Sequence, residues 1–519
     1  MEFSIAVKVN LSFWSFHVLV IVMLSLLALS PAYVTAAPSN QPISGQHVEN
    51  YNWFRNALSR SMAKEGLQFI AGSAKHGLTP DNYHYQTLRS LTDSANPEEQ
   101  AQFNQLLTEA LTTLSRDLKI GRTAPLTVDP DWHIPQVKFD ENAFISHAID
   151  SRHLIEHLDL LAPTTTNYQK LMTAYARYQR YAQQGGWQTI PASPKLSPGD
   201  SHPAVSLIQS RLAVEDTFFA YTHAVPSTLY DPLMEHAVRR FQQRSSLKVD
   251  GIIGRNTLKA LNISIESRLD QLKVNMERHR WMPRDLGKRH VLINLANYRL
   301  QAFEDGQEQL TMNVIVGKKD RQTPSFSAQM SHMVFNPFWN VPSKLARLDL
   351  LPKQQQNPNY FYQQSIRVFT KIGGAKIELD PANINWQMHN TQTLLPFSFR
   401  QDPGKRNSLG RIKFMFKNPW QIYLHDTPTR SLFNKTKRAL SSGCIRVADP
   451  VSLANFSLMG HKAYGTVIQR IESEHNHGIL LDDPLNIFAV YFTVSFQDDH
   501  VLFLPDVYQR DQRMIKKLY

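Results

Sequence analysis

Two hydrophobic periods divide this chain. Over residues 40–190, apolar positions recur at three-four spacing. Phe103, Leu106, Leu107, Ala110, Leu111, Leu114 and Leu118 make one stripe, and Tyr168, Leu171, Met172, Tyr175 and Tyr178 another. That spacing lines one face of a helix, so the segment reads as a helical scaffold domain. Its breaks fall at Gly77-Leu78-Thr79-Pro80-Asp81 and Thr127-Val128-Asp129-Pro130-Asp131. From His290 the period moves towards two, and β-branched and aromatic residues rise. Val291-Leu292-Ile293-Asn294, Arg299-Leu300-Gln301-Ala302-Phe303, Met312-Asn313-Val314-Ile315-Val316 and Met333-Val334-Phe335 read as strands, as does Gln421-Ile422-Tyr423-Leu424-His425. Asp449-Pro450 marks a helix start, with Asp as cap and Pro at the first position. The tail, residues 476–519, returns to strands through Ile487-Phe488-Ala489-Val490 and Val501-Leu502-Phe503-Leu504, packing on the preceding β domain or on the scaffold. The fold class is therefore multidomain α+β, with a mainly β domain over 289–475.

Between the two halves, Pro191-Ala192-Ser193-Pro194-Lys195-Leu196-Ser197-Pro198-Gly199-Asp200 reads as a linker. A compact helical unit follows over 196–262. Val205, Leu207, Ile208 and Leu212 give one apolar face, and Ala237, Val238 and Phe241 another. It ends in Asp250-Gly251-Ile252-Ile253-Gly254-Arg255-Asn256-Thr257, where small residues sit at a tight bend before a last helix with Leu258 and Leu261. This unit resembles the three-helix peptidoglycan-binding domain, whose pattern ends in the same Asp-Gly-x-x-Gly-x-x-Thr turn. Residues 216–232 depart from it as an insertion, and such modules serve either glycan binding or structure alone.

Residues 1–37 look like export machinery. Lys8 supplies a weak basic region, residues 18–29 an apolar core, and Val34-Thr35-Ala36 or Thr35-Ala36-Ala37 a small-residue cleavage site. The other reading is an inner-membrane anchor, because residues 11–29 are nearly long enough to span a bilayer and hold only His17 as a strongly polar group. The expected location is the periplasm. With a single cysteine in 519 residues, no intramolecular disulfide is available, so ordinary cores must hold the domains. The net charge of +12 suits a polyanionic wall or a solvated basic surface; export and the lack of a zinc or helix-turn-helix signature argue against nucleic acid.

That single cysteine, Cys444, lies in Ser441-Ser442-Gly443-Cys444-Ile445-Arg446. Serine and glycine before it are turn chemistry, and an arginine follows, which suits a reactive thiol better than a buried small hydrophobe. On the strand that ends at His425, alternation puts Ile422 and Leu424 on one face and Tyr423 with His425 on the other. If that strand end meets the cysteine loop, His425 serves as base for Cys444. An imidazolium partner would lower a thiol pKa from about 8.5 by several units. The backbone amides of Gly443 and Cys444 would face an oxyanion.

Here the residues resemble the L,D-transpeptidases with a YkuD-type catalytic domain. The likeness rests on His425-Asp426-Thr427-Pro428, Phe433, Arg438 and Ser441-Ser442-Gly443-Cys444-Ile445-Arg446-Val447. Val316-Gly317-Lys318 with Thr323-Pro324 and Asn336-Pro337-Phe338-Trp339-Asn340-Val341-Pro342 match earlier strands. Gln401-Asp402-Pro403-Gly404, Asn407-Ser408-Leu409-Gly410 and Lys413-Phe414 narrow the likeness to the large Gram-negative branch with scaffold, peptidoglycan-binding domain and capping insertion.

The resemblance implies Cys444 as nucleophile, His425 as base, and the Asp426 carbonyl as third member. Tyr423, Gly443 and Arg446 would line the acyl site. Ser442 and Asp426 occupy positions where a second histidine and a glycine are frequent, so they concern fine geometry. The implied reaction is acyl transfer from a peptidoglycan tetrapeptide stem, releasing D-alanine and forming a 3–3 cross-link with an acceptor stem. It needs no metal or cofactor, since an activated thiolate attacks directly. An L,D-carboxypeptidase and a non-catalytic wall-binding scaffold are the alternatives. Cell-wall synthesis proteins are the other partners the resemblance allows. Residues 340–420 would be the cap, with twelve basic residues against four acidic ones, a net of +8, which suits either steering of stem carboxylates or a solvated lid. Trp339, Tyr360, Phe361 and Trp386 would cover the acyl site or pack that lid.

Overall fold

The computed structural model describes residues 51–222 and 227–518. The leader or anchor expected over 1–37 lies outside them. Among the described residues no helix is long and apolar enough to cross a membrane.

The scaffold begins with α1 (Ala57–Gly72), α2 (Pro97–Ile120) and α3 (Thr166–Gln183). The start of α2 is set locally: the Asn96 side chain accepts from the Glu98 N–H, Pro97 stands in the first turn, and Glu98 and Glu99 face the positive end of the helix dipole. Its stripe of Phe103, Leu107, Ala110, Leu111, Leu114 and Leu118 packs with Met62, Phe69 and Ile70 of α1. The Tyr168, Leu171, Tyr175 and Tyr178 face of α3 belongs to a different core, described below.

The next unit holds α4 (Ala204–Glu215), α5 (Pro232–Arg244) and α6 (Arg255–Leu261). One side chain explains its closing turn. Gln242 Oε1 accepts from the Asp250 and Gly251 amides at 3.0 and 2.9 Å, while its Nε2 donates to Ile252 O at 2.9 Å. Gly251 sits at φ +71°, where a side chain would be strained and would meet Glu235. The insertion over 216–232 contributes buried Tyr230, whose hydroxyl donates to Gly251 O at 2.5 Å.

Helix α7 (Ile265–Arg280), which the sequence leaves unassigned, is the central strut. Ile265, Leu272 and Met276 join the tyrosine face of α3 and Val494, Val501 and Phe503 of the tail in one core. Three of its buried charges are paired: Arg280 with Glu277 at 2.7 Å, and Arg278 with Asp511 at 2.5 Å. Removing one partner would strand a buried charge at a cost of about 3–5 kcal/mol.

The β domain forms a closed sheet. Its strands are β1 (Trp132–His133), β2 (Arg289–Asn294), β3 (Arg299–Glu304), β4 (Gln307–Gly317) and β5 (Ser325–Phe335). After the cap strands β6 (Trp339–Asn340), β7 (Ile366–Ile372), β8 (Ala375–Leu379) and β9 (Ser398–Gln401) come β10 (Ile412–Phe416), β11 (Leu424–His425), β12 (Ala439–Ser441) and β13 (Ile445–Val447). Helix α8 (Pro450–Ser457), capped by the Asp449 side chain, precedes β14 (His477–Val490). The order β5-β10-β11-β13-β4-β3-β2-β14 closes because β14 pairs with β2 on one side and β5 on the other. Closure leaves few free edges around a core that includes Ile293, Val314, Met333, Phe414, Ile445 and Ile487. The sequence boundary at 475 therefore cuts the sheet, since β14 is a staple of the barrel.

Beyond it, β15 (Val494–Gln497) and β16 (His500–Phe503) form a hairpin on the scaffold side. The chain then turns into helix α9 (Arg510–Leu518) rather than more strand. Arg510, fully buried, donates to Ser325 Oγ and Thr323 O at 3.1 and 3.0 Å. The C-terminal helix thus braces the loop beneath the cysteine.

The cap is a four-stranded sheet, β6-β9-β7-β8, with Leu351, Phe361, Val368, Trp386 and Phe399 in its core. It ends before β10, so Lys413 belongs to the barrel and not to the basic lid. The cap's acids are engaged: Asp349 by Arg321, Glu378 by Arg367, Asp380 by the Tyr362 hydroxyl, and Asp402 by Arg367 and Arg400.

Candidate active site

Register brings the site together. Strand β11 runs between β10 and β13, pairing His425 with Lys413 on one side and with Arg446 on the other. Residues opposite one another share a face. On β10 the aliphatic and aromatic partners Ile412, Phe414 and Phe416 point into the core, which leaves Lys413 outward with His425. Leu424 and Ile422 are likewise core residues, and the Tyr423 and His425 rings lie together, centroids 5.6 Å apart. The regular strand is shorter than its sequence suggests, Leu424–His425, because Gln421 takes a left-handed φ of 56°.

Cys444 is half-buried at the entry to β13. Its Sγ is met by the hydroxyl and the backbone N–H of Tyr423, and lies 4.0 Å from Gln421 O. The Tyr423 hydroxyl also feels Trp339 beside it. Lys413 Nζ stands 4.0 Å from the centre of the Tyr423 ring. Trp339 therefore reaches the site, whereas Phe361 and Trp386 pack the cap core.

The loop holding the thiol is fastened from below. Ser441 Oγ donates to Cys444 O at 2.5 Å and accepts from the Gly443 amide at 3.1 Å. Thr323 Oγ1 donates to Gly443 O at 2.8 Å and accepts from the Gly317 amide at 2.9 Å. One expectation changes here. The Gly443 amide is engaged by Ser441 and does not face an oxyanion. The Cys444 amide has no hydrogen-bond partner among the described residues and is the donor left for that task. Ser442 is exposed, and its Oγ accepts from Arg321 Nη1 at 3.0 Å; the same guanidinium grips Asp349 of the cap at 2.6 and 3.1 Å.

His425 is buried, and its Nδ1 lies 2.5 Å from the Asp426 carbonyl. A carbonyl only accepts, so Nδ1 carries the proton and Nε2 keeps its lone pair. Asp426 contributes that backbone oxygen; its carboxylate turns away to accept from the Arg411 amide at 2.8 Å. Among the described residues no hydrogen bond joins Cys444 Sγ to His425.

The electrostatics differ from an ion pair. Burial, then Arg446 and Lys413, push the His425 pKa down to about 3, against the pull of the Asp426 carbonyl. Burial raises the Cys444 thiol, while Tyr423, Lys413 and Arg446 oppose it. Burial likewise lowers Lys413 and Arg446, and the sulfur works against that in both. The resting state is thiol and neutral imidazole, not the imidazolium pair expected from the sequence. Lys413, missing from the sequence-derived site, had a signal: the alternation of Ile412, Phe414 and Phe416 with Lys413.

Residues 288–468 match the family described as "L,D-transpeptidase catalytic domain", residues 46–174 a "Scaffold domain", and residues 201–261 a "Putative peptidoglycan binding domain". A protein of Haemophilus influenzae named "Putative L,D-transpeptidase" is 34% identical over 277 residues, 52% of this chain and 55% of that relative. The match thus spans about half the relative's length. Solved L,D-transpeptidases from Xylanimonas cellulosilytica and Stackebrandtia nassauensis are 14% and 13% identical, each covering 58% of this chain and 99% and 97% of theirs. Their TM-scores of 0.18 and 0.22 give those superpositions no weight. Residues 288–468 belong to the L,D-transpeptidase catalytic domain family, here on a chain that also carries a scaffold domain and a peptidoglycan-binding domain.

Proposed function

We propose that this protein is a cysteine-dependent L,D-transpeptidase that forms 3–3 cross-links in peptidoglycan. One observation carries the reading: a half-buried lone thiol, contacted by Tyr423, beside a strand whose histidine is fixed on a backbone carbonyl with Nε2 unprotonated. As sulfur attacks the carbonyl of the third stem residue, its proton passes to His425 Nε2. The carbonyl oxygen, now negative, is met by the Cys444 amide. The C–N bond to the terminal D-alanine breaks, and His425 returns the proton to the leaving amine. An acyl-thioester remains. The side-chain amine of a second stem then attacks it, gives a proton to His425, and the thiol is regenerated. Trp339, Tyr423 and Arg446 flank the acyl position, while Gly443 and Ser442 shape the loop. With such stems as donor and acceptor, the proposed location is the periplasm.

Mass spectrometry of products from purified disaccharide-tetrapeptide tests this. Cross-linked dimers with loss of D-alanine are expected, together with a covalent adduct from a carbapenem-type acylating agent, and neither with Cys444→Ala. Tripeptide without dimers would assign the protein as an L,D-carboxypeptidase instead. Sedimentation with peptidoglycan but no adduct would make it a wall-binding scaffold.

A further inference from the structure

Away from Cys444, a cavity of about 460 Å³ lies where the peptidoglycan-binding domain, the scaffold, the C-terminal hairpin and the outside of the barrel meet. Its floor is the outward face of β3 and β4. Leu300, Ala302 and Met312 point into the core, so Arg299, Gln301 and Thr311 point into the groove. These floor groups are arranged in pairs. Arg299 donates to Thr311 Oγ1 at 2.9 Å, and Gln301 Nε2 to Glu308 Oε2 at 2.5 Å. One cation and one anion face the same space, so the groove is close to electroneutral, unlike the strongly basic chain. One wall is apolar: half-buried Phe496 on the hairpin, beside Phe492, which is itself buried and stacked on His279 with centroids 4.2 Å apart. Amide and hydroxyl groups opposite aromatic rings suit a neutral polyol. The polar groups meet its hydroxyls and acetamides, and the Phe496 ring meets its C–H faces. At this floor a stem peptide with free carboxylates would find no net positive charge.

The groove also has a direction. A second cavity of about 220 Å³, lined by Arg240, Gln243 and Arg244 of α5 and by Asp498 and His500 of the hairpin, shares Gln497 and Leu502 with the first. Gln243 Nε2 donates to Gln497 Oε1 at 3.1 Å, joining the peptidoglycan-binding domain to the hairpin at this edge. The two cavities therefore adjoin, leading from that domain onto the barrel wall. A linear polymer fits such a track better than a compact ligand.

We infer that this groove binds the uncharged amino-sugar backbone of a glycan strand, holding the polymer while its peptide stems reach Cys444. The inference rests on the peptidoglycan reading above and adds a separate glycan site. The probe is a peptide-free oligomer of N-acetylglucosamine, titrated into the full chain by calorimetry. Saturable binding is expected, weakened about tenfold or more by Phe496→Ala or Thr311→Arg, through loss of stacking or filling of the floor. Both variants should keep wild-type adduct formation with the carbapenem-type agent, which shows that they are folded and separates this site from the thiol. No binding to wild-type protein, or undiminished binding in both variants, overturns the groove whatever Cys444 does. Loss of adduct formation in wild-type protein would instead defeat the transpeptidase reading. Weakened binding in variants that also lose the adduct counts against the groove, since misfolding then explains both.

Discussion

Gly410 and Asp426 should behave as a pair that sets the position of His425. Gly410 lies at φ +62°, and a Cβ built there would stand 2.2 Å from Asp426 Oδ2, 2.3 Å from Cγ and 2.5 Å from Cβ. Rotating the carboxylate away cannot relieve a clash with Cβ itself, so the backbone of Asp426 must move. That backbone carries the carbonyl holding His425 Nδ1 at 2.5 Å. In Gly410→Ala, a side chain at positive φ costs about 1 kcal/mol. Losing the bond from the Arg411 amide to Asp426 Oδ2, 2.8 Å long, costs about 1.5–3 kcal/mol more. The expected destabilisation is about 3 kcal/mol in urea unfolding. Displacing the base by about 1 Å should slow thiol acylation by about a hundredfold. Asp426→Gly removes the obstructing side chain and keeps the carbonyl. The double variant should therefore recover part of the loss, with a coupling of about 1 kcal/mol or more and faster acylation than Gly410→Ala alone. A cost below about 1 kcal/mol with unchanged acylation, or strict additivity in the double variant, refutes this account of the pair.

Lys413→Met should raise the apparent thiol pKa by about one unit in the pH profile of iodoacetamide alkylation, because a cation beside the thiolate is lost; Lys413→Arg should restore most of it, and an unchanged profile in both would remove Lys413 from the site. Thr323→Val keeps shape but strips the hydroxyl that bridges Gly317 and Gly443. With two buried backbone groups unpaired, a loss of about 2–4 kcal/mol is expected in urea unfolding, with slower acylation. His76, His279 and His425 are each held down to about 3, chiefly by burial. The unfolded chain takes up these protons near pH 6.5 and the folded chain does not, so stability is complete above about 6.5 and falls as the pH drops towards 3. Each histidine should contribute a slope of up to about 1.4 kcal/mol per pH unit, and His425→Asn should lower the measured slope between pH 6 and pH 5 by about that amount.

Local patterns reached as far as local physics did. The stripe of α2 is written within a few turns of chain, and so is the Asp250–Thr257 turn, though the Asn96 cap and the Gln242 anchor came only from the structure. Helix α7 was hidden because its buried faces carry Glu277, Arg278 and Arg280, whose burial depends on partners such as Asp511, 233 residues further on. The barrel's closure was hidden for a similar reason. Strand β14 carries Asp482 and Asp483 through a register shift between Leu480 and Leu485, which interrupts its alternation, and its two neighbours lie far back in the chain. Lys413 was counted with the cap on composition, but only its pairing with β5 and β11 decides where the cap ends.

The protonation state of the site was likewise not legible, and its physics limits what charge alone can do there. Lys413 and Arg446 favour a thiolate at Cys444 and disfavour an imidazolium at His425. Moving the proton from sulfur to nitrogen creates both ions at once, so the two effects oppose each other. A field from two cations therefore gives little net drive to the transfer. Directional groups do not cancel in that way. The hydroxyl and amide of Tyr423 favour the charged sulfur, whereas the Asp426 carbonyl accepts from Nδ1–H. Each hydrogen bond strengthens when its own partner ionises. It follows that activation of Cys444 should be more sensitive to the placement of Tyr423 and Asp426 than to the number of positive charges around it. This is why Gly410→Ala, which moves a carbonyl and removes no charge, is expected to slow acylation more than Lys413→Met.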